Sequence, residues 1–348
     1  MAAMRISVTG ANGFVGAALC RTLAAKGHHV RGLVRRTSDL SLLSGVELEI
    51  FYGSLDDESS LDAATRGREL VYHAAAAVTD WGAPEYFRNV NVEGTGRLLD
   101  ICVRNGVRRI VYISSVAVHS FTGGRNLDEE APQYPTRFYY SQSKREAEAL
   151  VRSYQETGKL ETVIIRPGDI YGPGDRVTMM RLAPLLDRGL LVLIDRGARL
   201  GAFTYIENLV NALVLAGCHQ HAAGETFVIV DDVSMTWREF FCRLTEALEL
   251  PGPWVSIPGK LAAMVAFVLE KIYHMIRIQS RPPITRYLVD HLTHDVHFTI
   301  DKARRILEFR PAIGTDEAMR RTAEWYHMQK RVRAGKTDQT RDTLSRHD

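Results

Sequence analysis

Arg5-Ile-Ser-Val-Thr-Gly10-Ala-Asn12-Gly13-Phe14-Val15-Gly16 is a short apolar run that enters three glycines spaced G-x-x-G-x-x-G. It leaves them as a helix, with Val15, Leu19 and Leu23 on one face and Gly27 as its stop. A tight strand-to-helix turn needs glycine, and so does close approach of backbone to a pyrophosphate. The helix N-terminus adds free N–H groups and a partial positive charge. Placed between a first strand and a first helix, the trio therefore predicts a phosphate cradle.

Outward from that turn, strands and helices alternate. Val30–Val34, Leu48–Tyr52, Leu70–Ala76, Arg109–Ser114 and Thr162–Arg166 read as strands, with helices over Thr95–Asn105 and Tyr140–Tyr154. This predicts βαβ units and a doubly wound parallel sheet covered by helices on both faces. After Gly172 the regularity fades, although Met179–Gly189 and Thr236–Leu248 look helical and Glu225–Val230 reads as a strand. The chain has 348 residues, enough at ~100–200 residues per domain for two domains or one large α/β unit. The expected division is a dinucleotide-binding domain over 1–175 with segments near 200–230 returning to it, a smaller α/β substrate cap over 176–330, and a frayed tail over 331–348.

Hydrophobic residues at 45% and charged residues at 24% exclude a disordered or collagenous chain. A net charge of +3 is too small and too evenly spread to mark a nucleic-acid binder. Cys20, Cys102, Cys218 and Cys242 lack the spacing of a metal site or a disulfide framework, as expected of a reducing cytoplasm. Met1–Ile6 does not resemble the start of a secretory leader. The most apolar window, Leu261–Leu269, is about half of what a bilayer span needs.

The second strand ends in Arg35-Arg36 without the carboxylate that would hold the ribose hydroxyls of NAD. Guanidinium forks match a 2′-phosphate, so NADP is the expected cofactor ahead of NAD. Tyr140 and Lys144 stand four apart at a helix start and share one face. A phenol near pKa ~10 is a weak proton-transfer group at neutral pH, and an ammonium one turn away, with an oxidised nicotinamide, would lower it. Ser115 ends a strand at the carboxyl edge, where its hydroxyl could fix a substrate oxygen.

With these residues, and with His73-Ala-Ala-Ala76, Asn91-Val-Glu-Gly-Thr95, Ser114-Ser115, Tyr140-Ser-Gln-Ser-Lys144 and Arg166-Pro-Gly-Asp-Ile-Tyr-Gly172, the chain resembles the extended short-chain dehydrogenase/reductase family. The resemblance covers about residues 4–328 and is most specific over the first 175. It implies a Rossmann-type fold, a homodimer, and Ser115, Tyr140 and Lys144 as the catalytic set, with Lys144 also on the nicotinamide ribose. For the cofactor it implies the glycine loop, Arg35 and Arg36, then Ser54 and Leu55, then Ala74, Ala75 and Ala76. Asn91 and Ser114, and Pro167, Gly168 and Ile170 beside the nicotinamide, complete that set.

Trp81-Gly82, Ile170-Tyr-Gly-Pro-Gly-Asp175, Phe203-Thr-Tyr-Ile-Glu-Asn208, and the late segment Ile284–Ala303 look most like the branch of 3β-hydroxysteroid dehydrogenases and 2-alkyl-3-oxoalkanoate reductases. Two departures stand out. Ser54 follows Gly53 where the family often has an aspartate for the adenine. Gly201-Ala202 stands where nucleotide-sugar members carry an Arg-Asp pair for the diphosphate.

The expected activity is thus hydride exchange between a nicotinamide and a secondary alcohol or ketone on a hydrophobic substrate. The rivals are a nucleotide-sugar epimerase or dehydratase that retains its cofactor, and a non-catalytic NADP-binding sensor. His291, His294 and His297 recur every third residue, but Val296–Ile300 reads as a strand that would scatter the rings, so ordinary surface and loop histidines and no metal are expected. Residues 260–278 carry apolar positions at near-helical spacing. Three accounts stay open: a greasy entrance, a segment lying in a membrane interface, or a helix packed on the cap.

Overall fold

The computed structural model describes residues 3–176 and 178–344. In chain order the first half forms β1 (Arg5–Thr9), α1 (Phe14–Ala25), β2 (His29–Val34), β3 (Glu49–Tyr52), α2 (Glu58–Thr65), β4 (Leu70–His73), α3 (Pro84–Phe87), α4 (Gly94–Arg104), β5 (Arg109–Ile113), β6 (Gly124–Leu127), α5 (Tyr139–Glu156) and β7 (Glu161–Pro167). There follow β8 (Asp169–Tyr171), α6 (Met179–Asp187), β9 (Val192–Ile194), β10 (Leu200–Gly201), β11 (Phe203–Tyr205), α7 (Ile206–Cys218) and β12 (Thr226–Ile229). The remainder is β13 (Met235–Thr236), α8 (Trp237–Ala247), β14 (Val255–Ile257), α9 (Gly259–Met275), α10 (Arg286–Thr293), β15 (Val296–Phe298), α11 (Asp301–Leu307) and α12 (Thr315–Leu344). The stretch from 331, expected as a tail, continues α12 to Leu344, and 345–348 lie outside the described residues.

Seven strands make one sheet in the order β12-β7-β5-β4-β1-β2-β3, every neighbouring pair parallel. The order reverses between β1 and β4, which opens the crevice where such sheets take a ligand. Side chains of β4 alternate between the two faces, as the pleat dictates. Leu70 and Tyr72 join the core shared with α1 and α7, whereas Val71 joins the one shared with α2, α4 and α5. The fold is therefore the doubly wound α/β arrangement that the alternating pattern predicts.

Edge strand β12 comes from beyond residue 225 and pairs with β7, Phe227 beside Ile165. A fully buried cation serves the same late segment. Arg109 at the start of β5 donates from Nη1 to the carbonyls of Ala216, Gly217 and His219 at 3.1, 3.1 and 2.8 Å, satisfying the end of α7. Its Nε meets Glu161 at 2.7 Å.

The late segment that carries α10 is tied to the sheet through the loop after β4. Asp80, between β4 and α3, receives both forks of Arg281 and the hydroxyl of Thr285, the N-cap of α10. Of the smaller pairs, β6 with β15 joins an early segment to a late one, while β8 with β11 and β9 with β14 pair strands within residues 169–257. Among the described residues no helix is long and apolar enough to cross a membrane.

Candidate active site

Gly10 has φ +65, and a Cβ there would stand 2.8 Å from the Ala75 backbone. A Cβ on Gly16 would fall 2.2 Å from the Gly10 carbonyl, so α1 can lie this close to the turn only as glycine. Gly13 caps α1 without a side-chain hydrogen bond, and the first turn from Phe14 and Val15 holds no acid. With Asn12 half-buried in the turn, the N–H groups of the loop have no competing anion among the described residues, so the cradle fits a dinucleotide pyrophosphate. Arg35 and Arg36 are both exposed just past β2, and the Arg36 guanidinium sits 5.7 Å from the Tyr52 ring centroid. Ser54 ties its hydroxyl to Asp56, and Leu55 is buried where a Cβ on Gly94 would strike it at 2.8 Å.

A buried relay fixes the loop of Ala74, Ala75 and Ala76. The Ala75 N–H donates to Thr9 Oγ1 at 3.2 Å, which in turn meets His73 Nδ1 at 2.8 Å. His73 Nε2 lies 3.0 Å from Thr95 Oγ1, whose own proton goes to the Asn91 carbonyl at 2.7 Å. Since Thr95 already donates, His73 carries a proton on Nε2, which leaves Nδ1 to accept from Thr9 when the ring is neutral. Burial agrees, lowering His73 to about 3, with Lys144 adding to the effect.

Asn91 lies in a π-helical turn, Arg88–Glu93, between α3 and α4. Its amide pairs with both backbone groups of Ala77, at 2.7 and 3.2 Å, and reaches Ser143 Oγ at 2.9 Å. Ser143 donates to the Tyr140 carbonyl at 2.8 Å, so one amide links the cofactor-side loop to the first turn of α5.

Tyr140 is 9% exposed, and its phenol hydrogen-bonds Ser115, whose Oγ accepts the Ala117 N–H at 3.2 Å. Burial pushes the phenol up to about 12, with Ser115 opposing and the Asp169 carboxylate adding to the rise. In the chain alone desolvation of the phenolate sets this rise, and Lys144 is not among the groups that move it. Lys144 itself commits a proton to the Ile113 carbonyl at 2.8 Å and lies 4.9 Å from the Tyr112 ring centroid. Burial brings its ammonium down to about 8 against the pull of Glu148.

Beneath this set Ser114 donates to Glu148 at 2.6 Å, and Arg166 grips the same carboxylate at 2.9 and 2.7 Å. Burial alone would raise Glu148, but the Arg166 fork outweighs it and holds the carboxyl below its usual range. Pro167 closes β7. A Cβ on Gly168 would meet the Ala202 carbonyl at 1.9 Å, and half-buried Ile170 pairs with Thr204.

Two polar residues whose pairing the sequence does not announce complete the surroundings. His291 Nε2 meets Asp169 Oδ1 at 2.8 Å, while Asp169 Oδ2 and His291 Nδ1 are buried without a hydrogen-bond partner among the described residues. His291 is therefore no surface histidine. His294 Nδ1 is 2.8 Å from the Asp290 carbonyl and His297 accepts from the Asn126 N–H, so the three rings serve different partners. Tyr287 faces Tyr140 with ring centroids 6.3 Å apart, and Phe121 and Phe138 stand edge-on to Tyr287 at 4.9 and 5.1 Å. The phenol thus works against an aromatic wall.

Comparison with known proteins agrees with this geometry. A model of the NAD dependent epimerase/dehydratase family matches residues 6–229. The chain is 31% identical to a 2-alkyl-3-oxoalkanoate reductase of Stenotrophomonas maltophilia, covering 91% of this chain and 98% of that one. It is 32% identical to a 3 beta-hydroxysteroid dehydrogenase/Delta 5-->4-isomerase of Mycobacterium tuberculosis, covering 97% and 95%. The fold superposes on the dTDP-glucose 4,6-dehydratase of Streptomyces venezuelae, solved with NAD bound, with a TM-score of 0.76 at 24% identity, covering 93% and 97%.

Proposed function

Since the chain belongs to the NAD-dependent epimerase/dehydratase family and is an NAD(P)-dependent enzyme of the extended short-chain type, we propose that it interconverts a secondary alcohol and a ketone on a hydrophobic substrate of the 3β-hydroxysteroid or β-oxo lipid kind. The observation that carries this reading is the Ser115–Tyr140 pair facing the aromatic wall of Tyr287, Phe121 and Phe138. When bound, the nicotinamide supplies or accepts the hydride. Ser115 holds the substrate oxygen beside the phenol, and Tyr140 gives that oxygen a proton or takes one from it. A phenol at about 12 is protonated at neutral pH, so the acid needed for ketone reduction is already in place. Lys144, with one proton on Ile113, keeps two N–H donors for ribose hydroxyls.

Arg35 and Arg36 support NADP over NAD, since two exposed guanidiniums close β2 where the NAD pattern has a carboxylate. Gly201 and Ala202 support a substrate without a nucleotide diphosphate. Ala202 is buried, and its carbonyl is taken by the Asp169 N–H. The two relatives named for reductase and dehydrogenase activity point the same way.

The test follows cofactor absorbance with steroid ketones, 2-alkyl-3-oxo acids and UDP-sugars side by side. Stoichiometric oxidation of NADPH by an apolar ketone is expected. Sugar interconversion with no net cofactor change would overturn the reading in favour of an epimerase. Tyr140→Phe is expected to lower kcat by about a hundredfold or more with cofactor affinity kept.

A further inference from the structure

Helix α9 is built inside out. Toward the protein it buries Gly259, Ala262, Ala266 and Glu270, three small residues and one acid. Toward solvent it presents Leu261, Met264, Val265, Val268, Ile272 and Met275, each 39–76% exposed. Their spacing of 3, 4, 7, 11 and 14 residues from Leu261 keeps them within about a third of the helix circumference. An amphipathic helix of a soluble cap has the reverse orientation, with its large apolar side chains inward.

Charge on this helix is sorted as well. Glu270 is its one acid. It turns inward, accepting the Arg286 N–H at 2.7 Å and the Arg286 Nε at 2.6 Å. The charged or ionisable groups left outside, Lys260, Lys271, His274 and the following Arg277, are all basic. Shortly before α9, Trp254 is 77% exposed, with its indole N–H satisfied by the Gly189 carbonyl at 3.1 Å. Its apolar body therefore meets the surroundings with no polar group left over.

We propose that α9 is a membrane-docking helix that lies flat in the headgroup region of an anionic lipid surface. A greasy stripe with a basic rim has the two features such helices use, buried apolar area and attraction to anionic headgroups. Lying on the surface, rather than spanning it, fits a helix of 17 residues, about 25 Å long. A second copy of the chain fits less well. Two such faces would oppose lysine to lysine with no outward acid to pair them, and like charges across an interface are repelled.

Docking here also gives the active site an approach from the lipid. α9 is pinned by Glu270 to Arg286, at the start of α10, which carries Tyr287 and His291. One turn further on His274 packs on Trp81, in the loop that follows β4, with ring centroids 4.5 Å apart.

The test is flotation of the full-length protein with vesicles of phosphatidylcholine alone and of phosphatidylcholine with phosphatidylserine, without cofactor or substrate. It is independent of the substrate reading. Wild type is expected to float with the anionic vesicles. Val268→Glu/Ile272→Glu, at exposed positions where the fold is unaffected, is expected to reduce bound protein at least tenfold with an unchanged melting curve. Lys260→Gln and Lys271→Gln should each weaken binding to the anionic vesicles by about fivefold. Wild type left wholly in the soluble fraction with both lipids overturns the proposal, as does flotation unaltered in the double variant. A dimer that falls to monomer in the double variant, with no lipid binding by wild type, assigns the face to self-association instead.

Discussion

Lys144 is the residue whose burial has the most direct thermodynamic signature. Its ammonium is held near 8 in the fold, whereas an unfolded lysine keeps its proton to about 10.4. Between those values the unfolded chain binds more protons, so this group makes stability rise with pH, by up to about 1.4 kcal/mol per unit. Below 8 both states are protonated and the contribution is flat. The difference in unfolding free energy between wild type and Lys144→Met should therefore shift toward wild type from pH 8 to 10, read by urea denaturation at stepped pH. A pH-independent difference would mean that the ammonium is not desolvated. The spacing of Tyr140 and Lys144 was legible in the sequence because helix geometry fixes which residues share a face. Where each proton points was not, since the Ile113 carbonyl, the Ser115 hydroxyl and the depth of burial are set by tertiary packing. For the same reason nothing in the sequence marked Glu148, or joined Asp169 of the Arg166–Gly172 motif to His291. Each is a single polar residue whose partner lies far along the chain or in a different element.

Among the elements, the long strands and helices of the sheet declared themselves through apolar periodicity, and the glycine turn through its context. Helix α2 did not. It spans eight residues, is largely polar, and starts from an Asp57 cap that accepts the Ser59 and Ser60 N–H groups. The π-helical turn before α4 was also hidden, because a one-residue widening leaves no pattern in hydrophobicity. Yet that turn aims Asn91 at Ala77 and Ser143 together. Asn91→Leu keeps the volume and leaves the Ala77 amide, the Ala77 carbonyl and the Ser143 hydroxyl short of a partner. A loss of about 2–3 kcal/mol in thermal or urea unfolding is expected. Because Ser143 positions the Tyr140 backbone, kcat should fall about tenfold as well. Full turnover in a destabilised variant would show that the amide is only structural.

At the scale of the whole molecule, the segment that carries α9 and α10 hangs on Asp80. Its carboxylate is 8% exposed; burial raises it, but Arg281 and Thr285 hold it below its usual range. Asp80→Ala leaves Arg281 without its partner, at a cost of about 3 kcal/mol. Hydrogen exchange should then speed up in α9 and α10 while β1, β4 and β5 stay protected. Equal loosening of these helices and the sheet would refute a local clamp. Sequence spacing outlined the alternating sheet, but its long-range ties, Asp80 with Arg281 and Arg109 with α7, join residues more than a hundred positions apart. That separation has a consequence during synthesis. A nascent chain that has emerged only through β7 exposes that strand's open edge and an Arg109 guanidinium whose three carbonyl acceptors have not yet emerged. Until residues 206–229 follow, both invite the wrong neighbours, so a stall in that interval is where holdase chaperones would be needed most.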